Sequence, residues 1–310
     1  MTINPDVVGI DISKLHLDVS DPRRGHVEHF ANSAAAAAEL AARFAAAGQR
    51  VVFEATGAYD RQLCLALHAA GVTFFRVNPG QARDFARAAG YLAKTDAVDA
   101  RMLAAMGRAL ELRPAKPVEP DRDSLARLHK RRDQLVAMRS QERTRRRGEL
   151  DAQMLDSIDQ HLRWLDDQVR ELDRRIRQLI AASPGLAEAE RRLRSVPGIG
   201  PVAAATLLAL APELGERSSK AIAALAGLAP FNADSGQKRG QRMIRGGRKR
   251  IRDALYMAAV SASRSNNRFA AFYRSLRAAR KPAKLALIAV ARKLLVTLNA
   301  MMRDQTAFQT

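Results

Sequence analysis

The chain has 310 residues, 47% of them hydrophobic, and a formal net charge of +20. This length is sufficient for two domains, each with its own core. The positive charge is concentrated: the net charge is +1 over residues 1–120, +3 over 121–180 and +16 over 181–310. A basic segment of this kind in a folding sequence predicts a polyphosphate partner. We favour nucleic acid over an anionic membrane surface or a merely well-solvated face.

Cysteine usage and hydropathy exclude several other classes of protein. Cys64 is the only cysteine, which rules out an intramolecular disulfide and a cysteine-based metal knuckle. The first residues do not have the pattern of a signal peptide. No run of about 18 uncharged apolar residues predicts a membrane span. We therefore expect a soluble, cytoplasmic protein.

The first third of the chain has the pattern of an α/β domain. Strands are predicted at 6–12, 15–20, 26–31, 50–55 and 72–77, and helices at 33–47 and 60–70, with a helical pattern from 78 onwards. Ser33 is a suitable N-cap for the first helix, and Gly48 a suitable end. Three consecutive strands followed by α-β-α-β-α are typical of an RNase H-like fold, a mixed sheet with helices on its faces.

Four carboxylates lie within or at the ends of the predicted strands and helices. Asp11 interrupts the apolar run V-V-G-I-D-I-S, where an acid is costly unless a cation compensates it. Glu54 ends another strand, and Asp96 and Asp99 share one face at the start of a helix. Such a cluster predicts a Mg²⁺ or Mn²⁺ site suited to chemistry at phosphorus. The alternative is that the two aspartates only cap their helix and Glu54 is a surface residue.

The middle of the chain has a heptad pattern. A segment with three prolines, residues 113–120, reads as a linker. Beyond it, apolar residues recur at alternating spacings of three and four: Leu155, Ile158, Leu162, Leu165, Val169, Leu172, Ile176 and Leu179. A preceding helix is indicated by Leu125, Leu128, Leu135 and Met138. The pattern predicts a coiled coil, formed either as an antiparallel hairpin within one chain or by self-association.

The last part of the chain is predicted to be all-helical. Helices are expected near 187–194, 201–210, 219–226, 248–263, 268–277 and 283–302, after Ser183-Pro184-Gly185 ends the coiled coil. The sequence V-P-G-I-G-P at 196–201 has the form of a helix-hairpin-helix turn. Gly198 and Gly200 would let backbone amides face a phosphate beside a helix N-terminus. The alternative is an ordinary Gly-Pro turn between helices.

Ser235 lies in a D-S-G turn within a basic loop. Such a serine is usually only a turn former. Here the surrounding cations would neutralise a phosphate under attack, and they are Lys238, Arg239, Arg245, Arg248, Lys249 and Arg250. A serine hydroxyl needs activation to act as a nucleophile, and no histidine stands nearby in sequence. A metal ion, or a carboxylate from another part of the protein, would have to activate the serine hydroxyl.

Several short motifs follow one another along the chain: G-I-D-I-S, F-E-A-T-G, K-T-D-A-V-D-A, P-G-I-G-P, G-L-A-P, D-S-G and I-R-G-G-R-K-R. Together, over nearly the whole chain, they resemble the DEDD transposases of insertion sequence family 110. The resemblance implies that Asp11, Glu54, Asp96 and Asp99 match the family's metal-binding acids and Ser235 its nucleophilic serine. Members of the family are recombinases guided by a structured RNA from their own element, which pairs with target and donor DNA.

The resemblance implies three domains. These are a RuvC-like RNase H-fold catalytic domain at 1–112, a linker and coiled coil at 113–183, and a helical transposase domain at 184–310. We expect a Mg²⁺- or Mn²⁺-dependent DNA recombinase that binds DNA and guide RNA and assembles as a dimer or tetramer. Two alternatives remain: a Holliday-junction resolvase-like nuclease that uses the same acids with water, and a non-catalytic nucleic-acid-binding scaffold.

Overall fold

The computed structural model describes residues 6–91, 95–116, 119–231, 243–244 and 246–309. The chain divides into two compact units, Met1–Val118 and Glu119–Thr310. The first unit contains β1 (Val7–Ile12), β2 (His16–Ser20), β3 (Val27–Ala31), α1 (Ala34–Ala46), β4 (Arg50–Glu54), α2 (Arg61–Ala69), β5 (Phe74–Val77), α3 (Pro79–Ala88) and α4 (Asp96–Ala109). The predicted order of elements is confirmed, and Ser33 caps α1 by accepting a hydrogen bond from the Ala36 amide.

The strands of the first unit form one mixed sheet in the order β3-β2-β1-β4-β5. Strand β1 pairs antiparallel with β2 and parallel with β4, and β2 and β3 are also antiparallel. The first three strands therefore form a meander, whereas β4 and β5 are each reached through a helix. This topology places β1 at the centre of the sheet, between β2 and β4.

Helices cover both faces of the sheet. On one face, Ile10 and Phe53 belong to an apolar core shared with α1 and α2. On the other, Val7 and Val52 pack with residues of α4, including Leu103. Because side chains alternate along a strand, Asp11 projects from β1 to the face that α4 covers.

Backbone contact between β1 and α4 holds this second layer close to the sheet. A methyl group added at Gly9 would overlap the carbonyl oxygen of Ala100 and the amide nitrogen of Ala104. Two turns along the helix, a methyl group at Gly107 would overlap side-chain atoms of Val52 and Val7. The small residues on this face of α4 let the helix cross β1 with no side chain between them.

The second unit is mainly helical. It contains α5 (Pro120–Gly148), α6 (Ala152–Ala182), α7 (Pro184–Arg194), α8 (Pro201–Leu210), α9 (Ser219–Leu225), β6 (Pro230–Phe231), β7 (Met243–Ile244), α10 (Lys249–Ala262), α11 (Arg268–Ala278) and α12 (Ala283–Asp304). The expectation of an all-helical segment was wrong in one respect, because β6 and β7 form a two-residue antiparallel ladder. Strands this short have no periodicity that a sequence could display.

Helices α5 and α6 form an antiparallel hairpin within the chain. Three arginines of α5, seven residues apart, face three aspartates of α6 with the same spacing: Arg132–Asp173, Arg139–Asp166 and Arg146–Asp159, at 2.5, 2.7 and 2.5 Å. Solvent screens ion pairs of this kind, so the buried residues Leu135, Leu165 and Val169 between the helices contribute more. Leu165 and Val169, two of the heptad residues of α6, therefore pack against α5 of the same chain, while the coiled coil as a whole stays a prediction.

Among the described helices, α12 is long and apolar enough to span a membrane by length and composition alone. Its packing explains this composition, because Val290, Leu294 and Leu298 are completely buried in the core of the second unit. Helices α9, α10 and α11 contact it. The apolar character of α12 is that of a central core helix.

We predict that Gly9→Ala destabilises the first unit by about 1–3 kcal/mol, the usual cost of overpacking, because the methyl group must displace the α4 backbone. The measurement is urea denaturation followed by circular dichroism. Gly185→Ala is the matched control, since a methyl group there meets no atom within 4 Å. Equal stability of the Gly9→Ala and wild-type proteins would contradict the proposed close contact.

Candidate metal centre

The sheet brings Asp11 and Glu54 to adjacent strand ends. Strands β1 and β4 are parallel neighbours in which Ile10 pairs with Phe53. Asp11 and Glu54 each follow that pair by one residue, so the pleat directs both toward the layer of α4. Each is partly exposed. The sequence-based expectation that these two acids share one edge of the sheet is in line with this register.

Helix α4 brings Asp96 and Asp99 to the same region. Its N-cap is Thr95, whose hydroxyl accepts a hydrogen bond from the Val98 amide at 3.3 Å. The cap position is thus already filled by a threonine, and Asp96 is exposed in the first turn. The α4–β1 contact at Gly9 involves Ala100, the residue directly after Asp99. The contact therefore fixes the start of α4 beside the end of β1.

Three carboxylates approach one another closely. Asp11, Asp18 and Asp96 each offer an oxygen, and these oxygens all lie within 4.8 Å of one another. Asp18 was not predicted from the sequence. It lies on β2 directly opposite Asp11 in the antiparallel register, and it is only 7% exposed. Glu54 and Asp99 are not members of this close group.

Electrostatics at the centre disfavour ionised Asp11. Burial, followed by the negative charges of Asp99 and Asp96, raises the pKa of Asp11 from 3.8 to about 6. The charge of Asp18 adds a smaller effect in the same direction, against a hydrogen bond from the Ile12 amide. A cation bound among these groups would reverse the balance, since it favours every ionised carboxylate around it.

The residues present fit a divalent metal ion. Carboxylate oxygens are the ligands that Mg²⁺ and Mn²⁺ prefer, and several acids from different elements converge here. A carboxylate as buried as that of Asp11, surrounded by others, is costly without a positive charge nearby. Asp11 and Asp96 would hold such an ion, together with Asp99 on the same helix as Asp96 and Glu54 on the strand next to that of Asp11.

Packing explains why one residue of the turn between α7 and α8, Gly198, is a glycine. Gly198 has a φ of +92°, and a methyl group there would overlap the carbonyl oxygen of Ala258 on α10. Gly198 therefore permits close packing of the turn against α10. Gly200 is the N-cap of α8, and a methyl group there would meet no atom within 4 Å. Phosphate binding at this turn remains a prediction.

Arg248 is held by a partly buried acid, Glu213. Its guanidinium donates to both carboxylate oxygens of Glu213 and to the carbonyl of Leu210, all at 2.7 Å. Burial alone would raise the pKa of Glu213, but the hydrogen bonds from Arg248 lower it below its usual range. This pair connects the start of α10 to the segment after α8, which gives Arg248 a structural role whatever else it contacts.

Lys249 and Arg250 also have acidic partners. Lys249 contacts Asp253 one turn away at 2.6 Å, and its side chain is 77% exposed. Arg250 donates to Asp133 of α5 at 2.6 Å. Burial raises the pKa of Asp133, and hydrogen bonds from His129 and Arg250 bring it below the usual value. Both cations would have to leave a carboxylate to bind a phosphate, so their nucleic-acid role stays a prediction.

Ser235, Lys238, Arg239 and Arg245 lie outside the described residues. The segment that carries the first three begins and ends at the β6–β7 ladder, where Phe231 pairs with Met243. Beside the ladder, a methyl group at Gly247 would overlap the backbone of Gly227. The two ends of the serine-containing segment are therefore held close together in the second unit.

The raised pKa of Asp11 predicts a pH-dependent effect of Asp11→Asn on stability. In the unfolded chain this carboxyl ionises near pH 3.8, but in the folded protein near pH 6. Ionised Asp11 thus opposes folding. This cost is absent below about pH 3, grows as pH rises from about 4 to about 6, and is constant at higher pH. In EDTA, Asp11→Asn should melt at a higher temperature than wild type at about pH 8, and this difference should shrink at acid pH.

Thermal unfolding at several pH values measures this effect. Asp84→Asn is the matched control, because Asp84 is an exposed acid on α3. A melting-temperature difference between Asp11→Asn and wild type that does not change with pH would contradict the assignment of a desolvated, repelled carboxylate at residue 11.

Comparisons with known proteins identify two family matches. Residues 8–155 match the DEDD transposase model of IS110 elements, and residues 190–274 match the model described as Transposase IS116/IS110/IS902 family. The first match contains Asp11, Asp18, Glu54, Asp96 and Asp99, and the second contains Ser235 and the turn with Gly198 between α7 and α8. The two matches together span most of the chain.

Similar relatives include pilin gene-inverting proteins and proteins of insertion elements. The pilin gene-inverting proteins of Moraxella lacunata and Moraxella bovis are each 32% identical over 265 residues, which cover 83% of this chain and 81% of theirs. The insertion element IS110 43.6-kDa protein of Streptomyces coelicolor is 30% identical over 165 residues, 53% of this chain and 40% of that protein. The chain belongs to the IS110 family of transposases, enzymes that cut and rejoin DNA.

Proposed function

We propose that this transposase is an RNA-guided recombinase that moves an insertion sequence, with a Mg²⁺-dependent acidic centre and a serine nucleophile. The observation that carries the proposal is the convergence of Asp11 and Asp96 on one side of a mixed sheet. The strand order β3-β2-β1-β4-β5 is the one expected of an RNase H-like, RuvC-like domain. Recombination is favoured over simple cleavage because two relatives that align with 83% of this chain are named for gene inversion.

The acidic centre is proposed to position the scissile phosphate. Bound Mg²⁺ or Mn²⁺ supplies Lewis acidity and neutralises charge at the phosphoryl oxygens. The protein contributes rigidity, since β1 and α4 are held in backbone contact at Gly9. Asp11, Glu54, Asp96 and Asp99 are the proposed ligands, as the family resemblance implies. Their carboxylates are carried by β1, β4 and α4. The packing of these three elements limits how far apart the carboxylates can move.

Ser235 is the proposed nucleophile. Its oxygen would attack phosphorus, and the P–O bond to one DNA strand would break. The serine's hydroxyl proton would pass to a carboxylate of an acidic centre, in the same or another subunit, and the departing DNA oxygen would take up a proton and leave as a hydroxyl. The resulting serine–phosphate ester keeps the energy of the broken bond. Attack by the DNA hydroxyl of the new partner then regenerates the serine and rejoins the strand, so no outside energy source is needed.

The proposed nucleic-acid partners are target and donor DNA and a structured guide RNA. Residues 181–310 carry the net charge of +16 that supports this assignment. The proposed contacts are the turn at Gly198 and Gly200 and the basic residues Lys238, Arg239, Arg245, Arg248, Lys249 and Arg250. Among those that the structure describes, Lys249 is the most accessible cation. Its side chain is 77% exposed, and its ion pair with Asp253 is a weak surface contact between successive turns of α10.

A homodimer or tetramer is the proposed assembly. The α5–α6 hairpin leaves large apolar side chains exposed in its loop and along the first half of α6. Leu150, Met154 and Trp164 are 94, 51 and 49% exposed. Isolated exposed apolar residues are ordinary, but three on one hairpin are the candidates for contact with another protein surface.

We predict a covalent protein–DNA adduct on Ser235. The full-length protein, loaded with its nucleic-acid partners, is incubated with a nicked DNA substrate and Mg²⁺, and the trapped adduct is digested and located by mass spectrometry. Wild type should give the adduct and recombined product. Ser235→Ala and Asp11→Asn should lose both, by a factor of about a thousand or more for loss of a group essential to the chemistry.

The matched control is Ser263→Ala, which removes a hydroxyl at the end of α10 that donates to the Val260 carbonyl. An adduct on another residue, Tyr256 for example, would overturn the serine assignment. Cleavage by Ser235→Ala without an adduct would favour the resolvase-like alternative, in which water attacks. Full activity of Asp11→Asn in EDTA would contradict the metal centre.

We predict that the purified protein carries RNA and is larger than one 34.0 kDa chain. Size-exclusion chromatography with light scattering and two-wavelength absorbance measures protein and nucleic-acid mass together. Because each neutralised phosphate releases counterions, the RNA fraction should fall steeply as salt is raised. Identical elution and absorbance ratio before and after ribonuclease would contradict the bound RNA, and a protein mass of one chain would contradict the assembly.

A further inference from the structure

We propose that Asp18 is a further metal ligand of the acidic centre and that His29 is the residue that positions it. The inference rests on the proposed metal-dependent function and concerns two residues of the meander that are not among the four acids implied by the family resemblance. It is carried by their register, burial and contacts.

The register of the sheet aligns three polar side chains in one row. Asp11 of β1 pairs with Asp18 of β2, and Asp18 pairs with His29 of β3. Directly paired residues on neighbouring strands project to the same face. The neighbours of Asp18 in sequence, Leu17 and Val19, project to the other face and are completely buried there. The row therefore faces the layer of α4, where Asp96 lies.

Burial distinguishes Asp18 from an ordinary surface acid. Its side chain is 10% exposed, and one of its oxygens lies within 4.8 Å of oxygens from both Asp11 and Asp96. Three carboxylates therefore lie close together at this position. Without a cation, Asp18 is a liability at this position, since a neutral residue would fit the sheet without adding negative charge.

The geometry suits direct ligation. Oxygens in an octahedral shell about 2.1 Å from Mg²⁺ are about 3.0 to 4.2 Å apart. The three carboxylate oxygens lie within 4.8 Å of one another, so modest side-chain rotations would bring them onto one ion. Asp18 belongs to this group together with Asp11 and Asp96.

His29 holds Asp18 in place. Its Nδ1 lies 2.8 Å from Oδ1 of Asp18, which suits donation from the ring to the carboxylate. The ring of His29 also lies against the ring of His16, with centroids 4.3 Å apart. His29 is 56% exposed and lies on the edge strand, outside the group of carboxylates. A hydrogen bond to a ligating carboxylate fixes its orientation, and loss of such a partner typically weakens metal binding 10- to 100-fold.

Cation-dependent thermal stabilisation of the full-length protein tests this proposal without measuring catalysis. Melting temperature is recorded in EDTA and across a Mn²⁺ titration for wild type, Asp11→Asn, Asp18→Asn, His29→Phe and His29→Asn. A ligand that binds only the folded protein raises its stability according to concentration and affinity. The titration midpoint therefore reports apparent affinity, separately from stability in EDTA.

We expect the Mn²⁺ midpoint of Asp18→Asn to rise at least about tenfold, and that of His29→Phe by about tenfold. His29→Asn places an amide donor near the position of Nδ1, so its midpoint should return toward wild type. His26→Phe is the matched control: this exposed histidine contacts only the Arg24 carbonyl among the contacts found for its ring. Its midpoint should equal that of wild type.

The outcomes separate this inference from the proposed function. No Mn²⁺ response in wild type would overturn both the metal centre and the place of Asp18 in it. A response that is lost in Asp11→Asn but unchanged in Asp18→Asn would overturn the role of Asp18 alone. Changed stability of His29→Phe in EDTA with an unchanged midpoint would show that His29 only stabilises the edge strand. If Asp18→Asn does not fold, the two His29 variants still decide the question, because they alter an exposed side chain.

Discussion

The backbones of β1 and α4 touch at Gly9, where not even a methyl group would fit. This close contact brings the acids of the strand and of the helix together. Asp11 lies two residues beyond Gly9 on the strand, and Asp99 directly precedes the contacting Ala100 on the helix. Because the backbones touch, the two acids are fixed by main-chain packing and not by long side chains. The same closeness partly buries Asp11 and raises its pKa to about 6, so rigidity and electrostatic cost have one origin. A divalent cation is the natural means of offsetting that cost.

The second unit is built for a different task. Its core surrounds α12, and its basic residues are often held by carboxylates distant in sequence, as Arg248 is by Glu213 and Arg250 by Asp133. These pairs lower the pKa of both acids and connect α10 to neighbouring elements. The ion pairs fix the orientation of Arg248 and Arg250, and each arginine would have to exchange a carboxylate for a phosphate to take the proposed nucleic-acid role. The serine-containing segment starts and ends beside this region, at the β6–β7 ladder.

Much of the fold was predictable because its signals are local. Strand runs, the Ser33 cap and the heptads of α6 depend on neighbours within a turn or two, and they were found at the expected places. Asp18 was missed because an acid between Leu17 and Val19 has the alternation of a solvent-facing strand residue. The short connection between β1 and β2 could have predicted this position of Asp18. A tight turn pairs Ile12 with Leu17 in antiparallel strands, and this register places Asp11 opposite Asp18. The partners of Arg248 and Arg250 had no such signal, being 35 and 117 residues away.

The central claim is that carboxylates of β1, β2 and α4 form one divalent-metal centre. Anomalous diffraction from crystals of the protein soaked in Mn²⁺ tests it most directly, because manganese is located without reference to activity. The account predicts a strong anomalous peak in contact with Asp11, Asp18 and Asp96, and its loss in crystals of Asp11→Asn. A peak elsewhere, or none at these carboxylates when the soak is saturating, would contradict it.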